Sequence, residues 1–173
     1  MKKILLLILA VALGIAPASL RTNTAPADPT PTAAPAEVSG IVFETTDREG
    51  STVTQEVLGE NVLTMLNFWE PWCGPCVREM PDLQKLSETY ADRGFAILGI
   101  YSTPGMEADV DKVLSDTGVT YPILHYADVF DAFQTGYVPT TVFLDCHGNQ
   151  VGQTQIGSKS YDDWAALVEE LLG

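Results

Sequence analysis

Apolar positions along the chain fall into blocks whose spacing predicts its elements. Residues 62–68 (Val-Leu-Thr-Met-Leu-Asn-Phe) form a nearly continuous apolar run, the pattern of a strand covered on both faces. Beyond it, Cys76, Met80, Leu83 and Leu86 recur at helical spacing. This predicts a helix that starts near Cys73 and kinks at Pro81, which lacks a backbone donor. Phe95–Tyr101 is a second buried strand, and strand, helix, strand in this order implies a parallel pair with a right-handed crossover. Glu107–Thr117 has a helical pattern, with Gly118 suited to its end. Residues 120–124 read as a short strand and 129–133 as a helical turn.

Upstream, residues 41–45 and 52–57 bracket Asp47-Arg48-Glu49-Gly50, the pattern of a hairpin. Near the C-terminus, Thr140–Asp145 and Gln150–Ile156 flank Cys146-His147-Gly148-Asn149, a second hairpin. Ser160 and Asp163 suit a helix start. Trp164, Leu167, Val168, Leu171 and Leu172 then share one apolar face. The order βαβ, a middle section and ββα predicts an α/β fold: a mixed sheet with helices on both faces.

A different pattern precedes residue 38. Lys2 and Lys3 are followed by uncharged residues 4–20, rich in Leu, Ile, Val and Ala. Residues 1–20 therefore read as an export signal, either cleaved near Ala16-Pro17-Ala18 or retained as a membrane anchor. Residues 21–37, rich in Pro, Ala and Thr, read as a disordered spacer, and such a spacer suits a tether. The folded domain is expected over 38–173.

The 173 residues include 9 Lys plus Arg and 23 Asp plus Glu, a formal net charge of −14. Such a chain repels phosphate backbones, which argues against a nucleic-acid partner. Three cysteines are too few for a disulfide-rich scaffold.

Two of those cysteines carry the chemistry. Trp72-Cys73-Gly74-Pro75-Cys76 lies at the predicted strand-to-helix junction. Cysteines at i and i+3 of a first helical turn share a face, within disulfide reach. Cys73 is expected at the exposed helix N-terminus, where N–H groups and the helix dipole stabilise a thiolate. Cys76, one turn in, is expected on the packed side. The asymmetry assigns Cys73 as nucleophile and Cys76 as resolving thiol, and Pro75 suits the first turn. The competing readings are a static disulfide and a zinc site. Zinc needs two more ligands, and Cys146, His147 and His125 lack the spacing of a second pair.

Val138-Pro139-Thr140-Thr141 is the second constellation. With Cys-Gly-Pro-Cys earlier in the chain, Pro139 is expected to be cis. The Val138 backbone would then sit beside Cys73, free to pair with a substrate strand.

Together these motifs resemble the thioredoxin superfamily, and more closely its TlpA/ResA-like exported members. Residues 68–76 with Glu79-Met80-Pro81 are similar to that family's active-site segment, and residues 138–145 to its cis-proline segment. The resemblance covers 38–173. It implies a thioredoxin-like fold with an N-terminal β-hairpin and a TlpA-type αβ insertion over about 103–127. It also implies thiol–disulfide exchange outside the cytoplasm without a cofactor or metal. Trp72, Gly74, Pro75, Val138 and Pro139 would line the substrate surface, and Trp69 would be core.

Thioredoxin carries a buried Asp in the strand before its motif, where this chain has Asn67. Glu79 matches an acid that ResA-like proteins keep near their cysteines, so it would tune the thiols or relay a proton. A solvated helix acid is the alternative for Glu79, and likewise for Glu70. Cys146, which departs from the two-cysteine pattern, reads as a passenger residue. His125 and His147 read as structural or solvent-facing, and the Asp109/Asp111 and Asp162/Asp163 pairs as solvated.

The Cys-Gly-Pro-Cys interior resembles that of the reducing thioredoxins, so a monomeric protein-disulfide reductase is the leading reading. Its partners would be a membrane thiol electron donor and disulfide-bearing exported proteins, apocytochrome c among the candidates. A thiol peroxidase and a metal carrier are the other classes. No Thr and Pro arrangement upstream of Cys73 resembles a peroxiredoxin site, and Met80 with two histidines is a poor metal set.

Overall fold

The computed structural model describes residues 40–173. The expected export segment (1–20) and spacer (21–37) lie outside the described residues. A five-stranded mixed sheet is built from β3 (Leu63–Phe68), β4 (Phe95–Tyr101), β5 (Ile123–His125), β6 (Thr140–Asp145) and β7 (Gln150–Ile156), in the order β5-β4-β3-β6-β7. β3 pairs parallel with β4 and antiparallel with β6. Each residue of β3 is buried, as its continuous apolar run requires of a central strand. A separate antiparallel hairpin, β1 (Glu44–Thr46) and β2 (Thr52–Thr54), docks on the sheet through a bridge from Asp47 to Leu124.

Helices α1 (Gly74–Tyr90), α2 (Glu107–Thr117) and α3 (Tyr161–Leu172) bury residues in one core, which includes Met80, Leu83, Leu86, Val110, Trp164 and Val168. The opposite core gathers Phe43, Leu58, Leu66, Phe68, Leu98 and Phe130. Its cover comes from the hairpin and from 3-10 helices at Gln55–Glu60 and Asp128–Phe133. Helical segments thus lie on both faces, α-helical on one and 3-10 on the other.

Several element limits differ from expectation, β1 among them, which spans Glu44–Thr46 and not residues 41–45. Residues 55–57 continue into a 3-10 helix and not into β2, because Thr54 caps Glu56 and Leu58 turns into the core. β5 begins at Ile123, because Pro122 has no N–H for the ladder; its carbonyl instead accepts from Gly99 at 2.9 Å. Helix α1 passes through Pro81 as one helix. Gly118 ends α2 at φ +71°, where its N–H reaches the Leu114 carbonyl.

Candidate active site

β3 ends at Phe68, and the chain turns through residues 69–73 into α1. Cys73 is the N-cap of α1, with Pro75 in the first turn. The Cys73 N–H donates to the Glu70 carbonyl at 3.0 Å, which fixes the approach to the helix. The Cys76 N–H points at Cys73 Sγ at 3.2 Å, so a helix-terminal donor is aimed at this sulfur. Cys73 and Cys76 form a disulfide, with Cα atoms 5.3 Å apart.

The two sulfurs are less different in exposure than the sequence suggests. Cys76 is 1% exposed, and Cys73 only 5%. The expectation of an exposed Cys73 is corrected by the loop before β6. The Val138–Pro139 bond is cis, and the Val138 carbonyl lies 3.6 Å from Cys73 Sγ. A disulfide sulfur carries no proton, so this is a packing contact in the oxidised protein. Trp72 next door is 63% exposed and Tyr137 68% exposed, while Trp69 is buried. Exposed aromatic surface thus borders the disulfide, and Gly74 adds no side chain at the first position of α1.

Beneath the pair lies a buried acid. Glu79 is 3% exposed, which overturns the solvated-acid alternative. Its Oε2 accepts from the Lys159 backbone N–H at 3.1 Å and from the Trp164 indole N–H at 3.2 Å; its Oε1 accepts from Asn67 Nδ2 at 3.4 Å. Burial pushes the carboxyl above its ordinary value of 4.5, against those hydrogen bonds and the Lys159 charge. Asn67 also donates to Thr141 Oγ1 at 3.0 Å, linking the acid to β6 beside Pro139. Burial, with Glu79 as a lesser cause, pushes the Tyr121 hydroxyl above 10, and among the described residues its oxygen has no hydrogen-bond partner.

Glu70 is also buried. Its carboxylate accepts from the Ser102 N–H at 2.9 Å, the Ser102 hydroxyl and the Thr103 hydroxyl. Thr103 in turn accepts the Trp72 indole N–H at 3.3 Å, so Glu70 orients the exposed aromatic through one hydroxyl.

The remaining candidates lie apart. Cys146 is half-buried and forms no disulfide. His125 Nδ1 lies 3.0 Å from Thr46 Oγ1, tying β5 to the hairpin. His147 is exposed and its N–H donates to Asp145. Asp111 pairs with Arg48 while its own side chain stays exposed. Among the described residues no three His, Cys, Asp or Glu side chains cluster closely enough to hold a metal ion. A cavity of about 420 Å³ between the β1–β2 turn and α2 contains no cysteine; the cleft reaching Val138 and Glu70 holds only about 30 Å³. An arrangement of this kind suits exchange with a sulfur presented at the surface. Sequence reasoning missed Trp164 and Lys159, since nothing in residues 159–164 signals contact with a helix some 80 positions earlier.

The AhpC/TSA family model matches residues 38–150. Among curated proteins, the chain is similar to a thiol-disulfide oxidoreductase ResA of Oceanobacillus iheyensis, 38% identical over 49% of this chain and 44% of that one. A ResA of Geobacillus kaustophilus is 33% identical over 61% of both chains. The chain thus matches about half to three-fifths of the length of these relatives. Among solved structures, a thioredoxin-family thiol:disulfide interchange protein from Chlorobium tepidum TLS superposes with a TM-score of 0.67 at 26% identity. That match covers 78% of this chain and 95% of that one.

Proposed function

This chain belongs to the AhpC/TSA family, and from that premise we propose that it is an exported thiol–disulfide oxidoreductase working as a protein-disulfide reductase. The observation that carries the reading is the Cys73–Cys76 disulfide at the N-terminus of α1, with the Val138 carbonyl against Cys73 Sγ. Names of the ResA relatives and of the Chlorobium tepidum structure support it.

The reaction begins from the reduced pair. Cys73 thiolate, stabilised by the Cys76 N–H and the helix N-terminus, attacks one sulfur of a substrate disulfide. A mixed disulfide forms and the other substrate sulfur leaves as thiolate, taking a proton from solvent. Cys76 then loses its proton, with Glu79 as acceptor or pKa-tuning group, and attacks Cys73 Sγ. The second substrate thiol departs and the Cys73–Cys76 disulfide closes. Two electrons have passed from the protein to the substrate. A thiol donor at the membrane restores the pair by the reverse exchange. Trp72, Gly74, Pro75 and Val138 form the surface met by substrate, the buried cis Pro139 holds the Val138 backbone beside Cys73, and that backbone pairs with an extended chain.

Residues 4–20 supply the export signal or anchor, and disulfide-bearing exported proteins, with apocytochrome c one candidate, are the substrates. Insulin reduction driven by dithiothreitol tests the activity. The wild type should exceed the protein-free control, Cys73→Ser should equal it, and Cys76→Ser should accumulate mixed disulfides that mass spectrometry identifies. Wild-type turnover no faster than the control overturns the reading. A midpoint potential above about −150 mV, toward the oxidant range, overturns the reducing direction. Peroxide turnover, assayed beside it without added thioredoxin, separates the peroxidase class.

A further inference from the structure

Glu79 is a buried acid whose protein donors are all neutral. Among the described residues no ion pair reaches it, and its hydrogen bonds come from an amide side chain, an indole and a backbone N–H. The positive charge that acts on it belongs to Lys159, in the loop between β7 and α3. Lys159 is half-buried and lays its ammonium over the Trp164 ring, 5.6 Å from the centroid. Trp164 is the residue whose indole N–H holds Glu79. One short segment therefore contributes two of the three donors and the charge. The cation also sits on the ring that donates, so ammonium and carboxylate are linked through one indole, which holds the first over its face and the second at its N–H edge.

We propose that Lys159 is a positioning residue for Glu79: its ammonium, seated on Trp164, sets how readily the buried carboxyl gives up its proton. Asp163 and Glu170 share a surface cleft with Lys159, yet among the described residues neither forms an ion pair with it, which leaves the charge directed to the indole. Other groups facing the carboxyl are the neutral Asn67 and Trp164 and the Tyr121 hydroxyl, which stays protonated. Cys76, three residues before Glu79 on α1, does not titrate while the disulfide is closed. The consequence for exchange, a Glu79 kept ionised enough to receive the Cys76 proton, rests on the proposed function. The effect of Lys159 on the carboxyl does not.

Substitution isolates the ammonium, because the Lys159 N–H is backbone and survives any side-chain change except proline. The test follows the Glu79 carboxyl carbon by NMR through a pH titration of the full chain with its disulfide closed. The signal is assigned by its loss in Glu79→Gln. Lys159→Met should raise the titration midpoint measurably, the direction expected when a neighbouring cation is removed. Lys159→Arg should titrate as the wild type does, and thermal unfolding measured below the midpoint, where Glu79 is protonated, should be alike in all three. A Met variant that titrates with the wild type overturns the inference. So does an Arg variant shifted as far as the Met variant, since the charge would then not be the cause. In the reduced protein, the pH profile of insulin reduction should move upward for Lys159→Met alone. A wild type with no reductase activity removes the proposed function and leaves the titration to decide the role of Lys159.

Discussion

The indole N–H of Trp164 donates to Glu79 Oε2 at 3.2 Å, joining α3 to α1 through a carboxylate that water does not reach. A buried polar group of this kind stays charged only while its donors remain in place. The last helix therefore bears on the cysteine-bearing helix through chemistry as well as packing.

Trp164→Phe tests that link. It keeps an aromatic ring in the core, removes the donor and leaves a smaller ring, and pH separates the last two effects. The expected loss of stability is about 1–3 kcal/mol at neutral pH, the usual penalty for depriving a buried charged acceptor of a partner. Urea unfolding at pH 7 and again near pH 4 measures it. The penalty should shrink at the lower pH, where Glu79 is protonated and needs the donor less. A penalty independent of pH would assign it to packing of the smaller ring.

Glu79 also marks the pH dependence of stability. Its folded-state value lies above the ordinary 4.5, because burial outweighs its hydrogen bonds. A raised carboxyl contributes stability that is full below its unfolded value and lost as pH rises through the folded value. Glu79→Gln removes this titration. The difference in unfolding free energy, variant minus wild type, should therefore drift in favour of the variant as pH climbs from about 4.5. Whatever constant offset the lost carboxylate hydrogen bonds add, the slope is the readout. A flat difference across that range would show that Glu79 titrates alike in both states.

How much of this was legible depended on how local each cause was. Phe95–Tyr101, Glu107–Thr117, Thr140–Asp145 and Gln150–Ile156 keep the limits that their apolar runs and bounding glycines imply. The thiol pair was legible for the same reason, since its spacing alone places both sulfurs on one turn. What stayed hidden was set by distant partners. Glu70 and Glu79 look like surface acids until Ser102, Thr103, Lys159 and Trp164 close over them. Cys73 looks exposed until the Val138 loop packs on it. Charge count gives no hint of any of these, because the donors are mostly neutral.

Thr103 holds Trp72 in place, and Thr103→Val leaves the ring's indole N–H without its partner. Because Trp72 is exposed, water replaces the bond, and stability should change by less than about 1 kcal/mol. The ring itself should become freer. Trp69 and Trp164 are buried, so acrylamide quenching reports chiefly on Trp72. Quenching should rise in the variant, and KM for insulin should rise more than kcat falls. Unchanged quenching would mean that packing, and not Thr103, holds the ring.

Gly99, at the centre of β4, sits opposite Asn67 of β3 and Ile123 of β5. A Cβ there would come within 2.6 Å of Ile123 Cδ1 and 3.2 Å of both Trp69 Nε1 and Tyr121 Cε2. Glycine in a strand interior usually marks such a close approach. Gly99→Ala should therefore destabilise the protein by about 1–3 kcal/mol through overpacking. The nearest atom is the end methyl of Ile123, and Ile123→Val deletes it. Combining the two changes should give a loss smaller than the sum of the single losses, since the second relieves the clash made by the first. The two rings remain, so the relief should be partial. Urea unfolding of the four proteins in the cycle measures the coupling. Strict additivity would show that the clash is absorbed by Trp69 and Tyr121, the rings that pack over the buried side of the site.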